Sequence, residues 1–180
     1  MEPLLLSVLS LSAMTPWYAG IDTITVLHPG DQAANQQAVD RIYSQQQYAQ
    51  FGPGRHAFLL TAGVYENLNI TVGYYTSVLG VGNGATGTGG DVQVARVESF
   101  DGPNGGATCI FWKSAEGMAV LAASNTWAAS QASPLRRMHY AGDLWLSEQG
   151  TCRASSAHAG YLRAPSTIPS VNVLLSSTQI

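Results

Sequence analysis

The sequence predicts an all-β chain wound as a parallel β-helix, with one amphipathic helix near its start. Three observations carry this. Within residues 54–82, the runs 58–60 (FLL), 68–72 and 76–81 (TSVLGV) are short, apolar or alternating, and separated by corners, the first at Ala62-Gly63. In the middle run Leu68, Ile70 and Val72 alternate with Asn67, Asn69 and Thr71, the pattern of a half-buried strand. Strand centres then recur about every 8 to 14 residues, the spacing of all-β folds. Charged residues make up only 11% of the chain, against about 25% in an average soluble domain. Gly, Ser, Thr, Asn and Gln supply the polarity, which suits a surface of stacked turns.

The elements follow in order. Residues 23–27 (TITVL) read as a strand, broken by Pro29-Gly30. Asp31 is placed to cap a helix over 32–50, whose apolar stripe is Ala34, Ala38, Val39, Ile42 and Tyr43. Its other face is rich in glutamine, and Phe51-Gly52-Pro53-Gly54 ends it. The first coil of a solenoid exposes apolar interior, and a helix there serves as its cap. Residues 83–90 form a glycine-rich turn, 91–97 a strand and 101–107 a loop. Apolar runs at 109–112 and 118–121 and short strands at 126–130, 137–140 and 143–147 follow. Residues 149–170 lose the rhythm, and 171–175 (VNVLL) restore one apolar run. With only one good helix, a βαβ plan is excluded.

One domain over residues 21–180 is expected from the length. Residues 1–20 hold an apolar run, 3–14, too short to span a bilayer. It reads either as a signal peptide lacking a basic n-region or as an apolar lead-in packed on the core. A net charge of −3, a single lysine (Lys113) and no basic run exclude non-specific nucleic-acid binding. No later segment reads as a membrane span. Cys109 and Cys152 pair as one disulfide or stay as two buried thiols. His28, His56, His139 and His158 are scattered, so neither a metal nor a cofactor is expected. Asn69-Ile70-Thr71 is a glycosylation sequon if the chain is secreted. Residues 82–87 match G-x-G-x-x-G, but a strand follows where a dinucleotide site needs a helix.

The segments QFGPGRHAFLL, GVYENLNITVGYYTSVLGVG, FWKSAEGMAV and WAASQASPLRRMHYAGDLWLSE fall in that order over about residues 50–148. They resemble the N-terminal part of a family of secreted right-handed, pectin-lyase-like β-helix proteins of fungi and actinobacteria, with labels such as adenylyl cyclase-like or coagulation factor 5/8-type. The resemblance implies a β-helix that is incomplete here, with an extracellular location. It carries over no catalytic residue. The cyclase label finds no metal-binding aspartate pair or purine signature in these residues.

For chemistry, glycoside hydrolysis commonly needs two carboxylates about 5 to 10 Å apart. Glu116 and Asp143 are separated by about one coil, so stacking on one face would bring them together as acid and base. Arg136 and Arg137, the one adjacent basic pair, are candidates for binding substrate, one facing the groove and the other bracing a turn; no acidic cluster suits calcium, so lyase chemistry ranks below hydrolysis. Trp112, Trp127 and Trp145, with Tyr74 and Tyr75, are candidates for stacking on sugars; the competing reading buries them in the core. The expected protein is a secreted carbohydrate-active one, related to polysaccharide-degrading glycoside hydrolases and bound to a glycan. The alternative is a non-catalytic solenoid with a binding or structural role, or an inactive fragment of a longer enzyme. An uncovered last coil would leave residues after about 148 poorly ordered, or self-associating through that end, unless they fold back as a cap.

Overall fold

The computed structural model describes residues 15–82, 90–100, 110–128 and 130–145, and the backbone of 163–164 and 171–173. The elements are β1 (Ile24–Leu27), α1 (Gln32–Gln46), β2 (His56–Leu60), β3 (Gly63–Thr71), β4 (Thr76–Gly80) and β5 (Val92–Glu98). They continue with β6 (Ser114–Val120), β7 (Ser124–Thr126), β8 (Leu135–Tyr140), β9 (Asp143–Trp145), β10 (Arg163–Ala164) and β11 (Val171–Val173).

The strands β1, β2, β4, β6 and β8 stack in parallel, each one coil after the last. A second parallel set continues each coil: β3 on β5, the end of β5 beside residue 127, and β7 on β9. The described residues therefore form a mostly-β, parallel-stranded coil with one helix. Its interior follows from alternation. Phe58, Val78, Ala115 and Leu135 lie level on successive strands, as do Tyr65, Val94, Val120 and Tyr140, and all are buried.

β6 serves two faces. Residues 114–116 pair with β4, while residues 119–120 pair with β5, and the strand bends between them at Gly117. Gly117 has φ +74, and Arg137 repeats the bend in β8 with φ +49. A Cβ on Gly80, one coil below, would strike the Gly117 carbonyl oxygen, so close stacking excludes a side chain there. A second left-handed column precedes the first face: Tyr75 (φ +54), Trp112 (φ +56) and Ala132 (φ +48). Backbone bonds from Tyr75 N to Phe111 O and from Trp112 N to Gln131 O keep these three level. Outside glycine, each left-handed residue costs about 1–2 kcal/mol.

α1 ends at Gln46, four residues before the expected limit. Asp31 stands at the N-cap position without making the expected side-chain capping bond. The buried stripe is also shifted: it consists of Asn35, Val39, Ile42 and Gln46, with Ala38 packed beside it and Ala34 exposed. The polar members are buried because each has backbone to bond. Asn35 Nδ2 donates to His28 O at 2.8 Å, and Gln46 Nε2 donates to Tyr74 O at 2.8 Å. Gln36 does more for the fold. Its Oε1 accepts the Asn69 N–H and its Nε2 donates to Asn69 O, both at 3.0 Å. One side-chain amide thus fills a backbone ladder position on the outer edge of β3, an edge that would otherwise stay open.

Two further features concern a corner and the outer edges. The apolar run at 109–112 continues into a corner at residues 110–112, and β6 begins only at Ser114. Their apolar side chains serve a separate small cluster of Tyr74, Ile110 and Phe111 outside the main core. At the other end, β11 pairs antiparallel with β8, and β10 with β9. These two short strands lie along part of the outer edges of β8 and β9. Cys109 and Cys152 lie outside the described residues, as does the run at 1–14.

Candidate functional site

Alternation on the first face turns Phe58, Val78, Ala115 and Leu135 inward. Ser77, Leu79, Ser114, Glu116 and Arg136 are left facing outward. Ser77 and Ser114 are level, and Ser114 Oγ bonds Ser77 Oγ at 2.9 Å. Leu79, Glu116 and Arg136 are level in the next outward column. Arg137, at the corner, donates from Nη2 to Glu116 Oε1 at 2.9 Å. Both partners are open to solvent, so this pair orients the carboxylate more than it stabilises the fold; such pairs contribute about 0–1 kcal/mol. The result is a shallow hydroxyl-lined strip with one oriented carboxylate and two guanidiniums.

Asp143 is not part of it. β9 places Asp143 level with Ser124 on the later strand set, well round the coil from Glu116. The expected acid/base pair Glu116 and Asp143 is therefore separated by the fold. The face of Asp143 carries different groups. Arg96 Nη1 donates to Glu98 Oε1 at 3.1 Å, and the same oxygen accepts the Thr126 N–H at 3.2 Å. Trp145 is level with Thr126 and is 38% exposed.

The three tryptophans separate by environment. Trp127 is fully buried and its Nε1 donates to Ser133 O at 3.0 Å, so the sugar-stacking expectation for it is corrected to a core role. Trp112 is 61% exposed at the corner before β6, the strand that carries Ser114 and Glu116. Tyr74 is buried against Phe111, edge to face at 4.9 Å, and Tyr75 is half-buried with its hydroxyl donating to Gln50 O. Asn69 is exposed on β3.

Reasoning from the sequence missed Lys113, the single lysine, which is completely buried. Its Nζ donates to Ile110 O at 2.6 Å and Ala128 O at 2.7 Å, and it lies 5.3 Å from the Trp127 ring centroid. Burial pushes its pKa well below the usual 10.5. Two N–H groups suffice for the two carbonyls, so a neutral amine satisfies both. The unfolded chain then binds a proton that the folded chain does not, from the lowered value up to 10.5. This contribution to stability is complete above 10.5 and is lost as pH falls through the folded pKa. Between pH 7 and 9.5 the urea midpoint of the native protein should rise relative to that of Lys113→Met. Parallel midpoints across that range would contradict a neutral Lys113.

Among the described residues, no group of three or more His, Cys, Asp or Glu gathers, and no helix is long and apolar enough to cross a membrane.

Comparison with known proteins defines the class. No family model matches the chain. The chain is 40% identical over 124 residues to an exo-beta-1,3-glucanase of Streptomyces sp. (strain SirexAA-E / ActE), which covers 67% of this chain and 20% of that protein. The structure of sacteLam55A from Streptomyces sp. SirexAA-E matches at a TM-score of 0.63 and 35% identity, covering 70% of this chain and 23% of that one. A variant of the same enzyme in complex with glucose matches at a TM-score of 0.63, covering 72% of this chain. The chain is thus related, in sequence and in coil, to a polysaccharide-degrading glycoside hydrolase, and spans about a fifth of that relative's length. This overturns the cyclase-like and coagulation-factor labels that the resemblance had suggested.

Proposed function

We propose that this chain is an extracellular β-1,3-glucan-binding coil of the exo-β-1,3-glucanase type. We further propose that its strands wind in the right-handed, pectin-lyase-like sense, with α1 as the cap of the first coil. The observation that carries the reading is the 40% identity to the glucanase, supported by the shared coil. The outward strip of β4, β6 and β8 suits a neutral polymer. Ser77 and Ser114 offer hydroxyls, and Glu116, held by Arg137, accepts hydrogen bonds from sugar hydroxyls.

Hydrolysis on this strip is a separate matter. Among the described residues its outward side carries one carboxylate, Glu116. Glycoside cleavage through a carboxylate pair needs a second, within about 10 Å. Among the described residues, the outward columns of β4, β6 and β8 supply no second one. The strip's single carboxylate therefore favours binding as the role of these coils.

Affinity electrophoresis of the purified chain in gels carrying β-1,3-, β-1,4- or α-1,4-glucan tests the reading, with reducing ends assayed in parallel. Retardation by β-1,3-glucan above the other two is expected. Equal mobility in all three gels would overturn it, and reducing-end release would add catalysis to the chain's own role.

A further inference from the structure

We propose that Trp112 is a stacking platform for a pyranose ring, at the head of the strip and resting on the glucan reading above. Three observations combine. First, the indole is 61% exposed on a left-handed residue of φ +56, a conformation that disfavours any side chain. Ala132 occupies the level position of the next coil with φ +48, so the corner itself requires no aromatic ring. The fold carries a strained, solvent-facing tryptophan where a smaller residue would serve.

Second, Trp112 has aromatic company. Tyr75 lies level with it one coil below, at a strand spacing of about 4.8 Å. Phe51, 83% exposed, packs on Phe111 at 5.9 Å. Third, this corner carries an exposed cation that is tied to its own backbone. Its Arg55 lies 3.6 Å above the Tyr75 ring centroid and donates to Gly52 O and Gly54 O, so the guanidinium is already engaged. A neutral sugar matches: its apolar face covers the indole and its hydroxyls reach Ser114 and Glu116, which face outward on the strand that follows.

The test compares the native chain with Trp112→Gly and Trp112→Phe. Glycine suits a left-handed corner, so Trp112→Gly should keep or raise the thermal midpoint. Its affinity for soluble β-1,3-glucan should fall at least about tenfold, equivalent to about 1.4 kcal/mol. Trp112→Phe should recover part of that loss. A Trp112→Gly protein that binds as the native chain does would overturn the platform while leaving the glucan reading intact. If the native chain instead binds β-1,4-glucan and Trp112→Gly loses that, the platform stands and the β-1,3 reading fails. Absence of binding to either glucan by the native chain overturns both. A concentration-dependent dimer abolished by Trp112→Gly, with glycan affinity unchanged, would make this corner a self-contact and overturn the platform.

Discussion

Trp127→Ala should destabilise the chain by about 3–5 kcal/mol, the cost of removing a fully buried aromatic side chain. Three effects act together. A cavity opens between the strand sets, because Trp127 belongs to the main core with Leu135, Met138 and Leu144. Ser133 O loses the indole donor at 3.0 Å, and Lys113 loses the ring beside its amine. Against a typical total of about 5–15 kcal/mol, this is a large share. Urea titration should show a clearly lower midpoint, whereas a change below about 1 kcal/mol would place Trp127 outside the core.

Ile42→Asp should cost about as much by a different route. Ile42 is buried on α1 within the main core, together with Val39. The substitution removes apolar burial and places a carboxylate in the apolar cluster of the main core. The helix would then lift from the first coil, and with it the Gln36 amide that pairs with Asn69. A shape-preserving control, Ile42→Leu, should cost under about 1.5 kcal/mol. Hydrogen exchange at the Asn69 amide should accelerate in Ile42→Asp and not in the control. Unchanged stability of Ile42→Asp would contradict a capping role for α1.

The parts of this fold that were legible in the sequence are those where burial enforces a period. Leu68 and Ile70 had to alternate with exposed neighbours because β3 buries one side only. Phe58, Val78 and Leu135 fill one interior column, and Phe58 and Val78 sit in apolar runs that mark it. What failed to show was the length of each coil. Glu116 and Asp143 looked one coil apart, yet the residue level with Glu116 on the next strand is Arg136, twenty positions on (136 − 116). Loops between coils change length freely, because chain closure costs little per added residue. Stacking therefore cannot be counted from spacing. The left-handed corners were equally silent: Trp112 and Arg137 adopt them without glycine's signature. The burial of Lys113 did not show, since nothing in FWKSAEG marks carbonyls that converge only after folding. The glutamines of α1 were legible as composition, but their pairing with the β3 edge depends on where the helix docks.

Hydrogen–deuterium exchange of the native chain, with and without soluble β-1,3-glucan, tests the central claim most directly. The account predicts slowed exchange at the corner before β6, and in β4 and the first half of β6, where Trp112, Ser77, Ser114 and Glu116 meet the polymer. Slowing confined to the face of Asp143 and Trp145, or no change at saturating glucan, would contradict it.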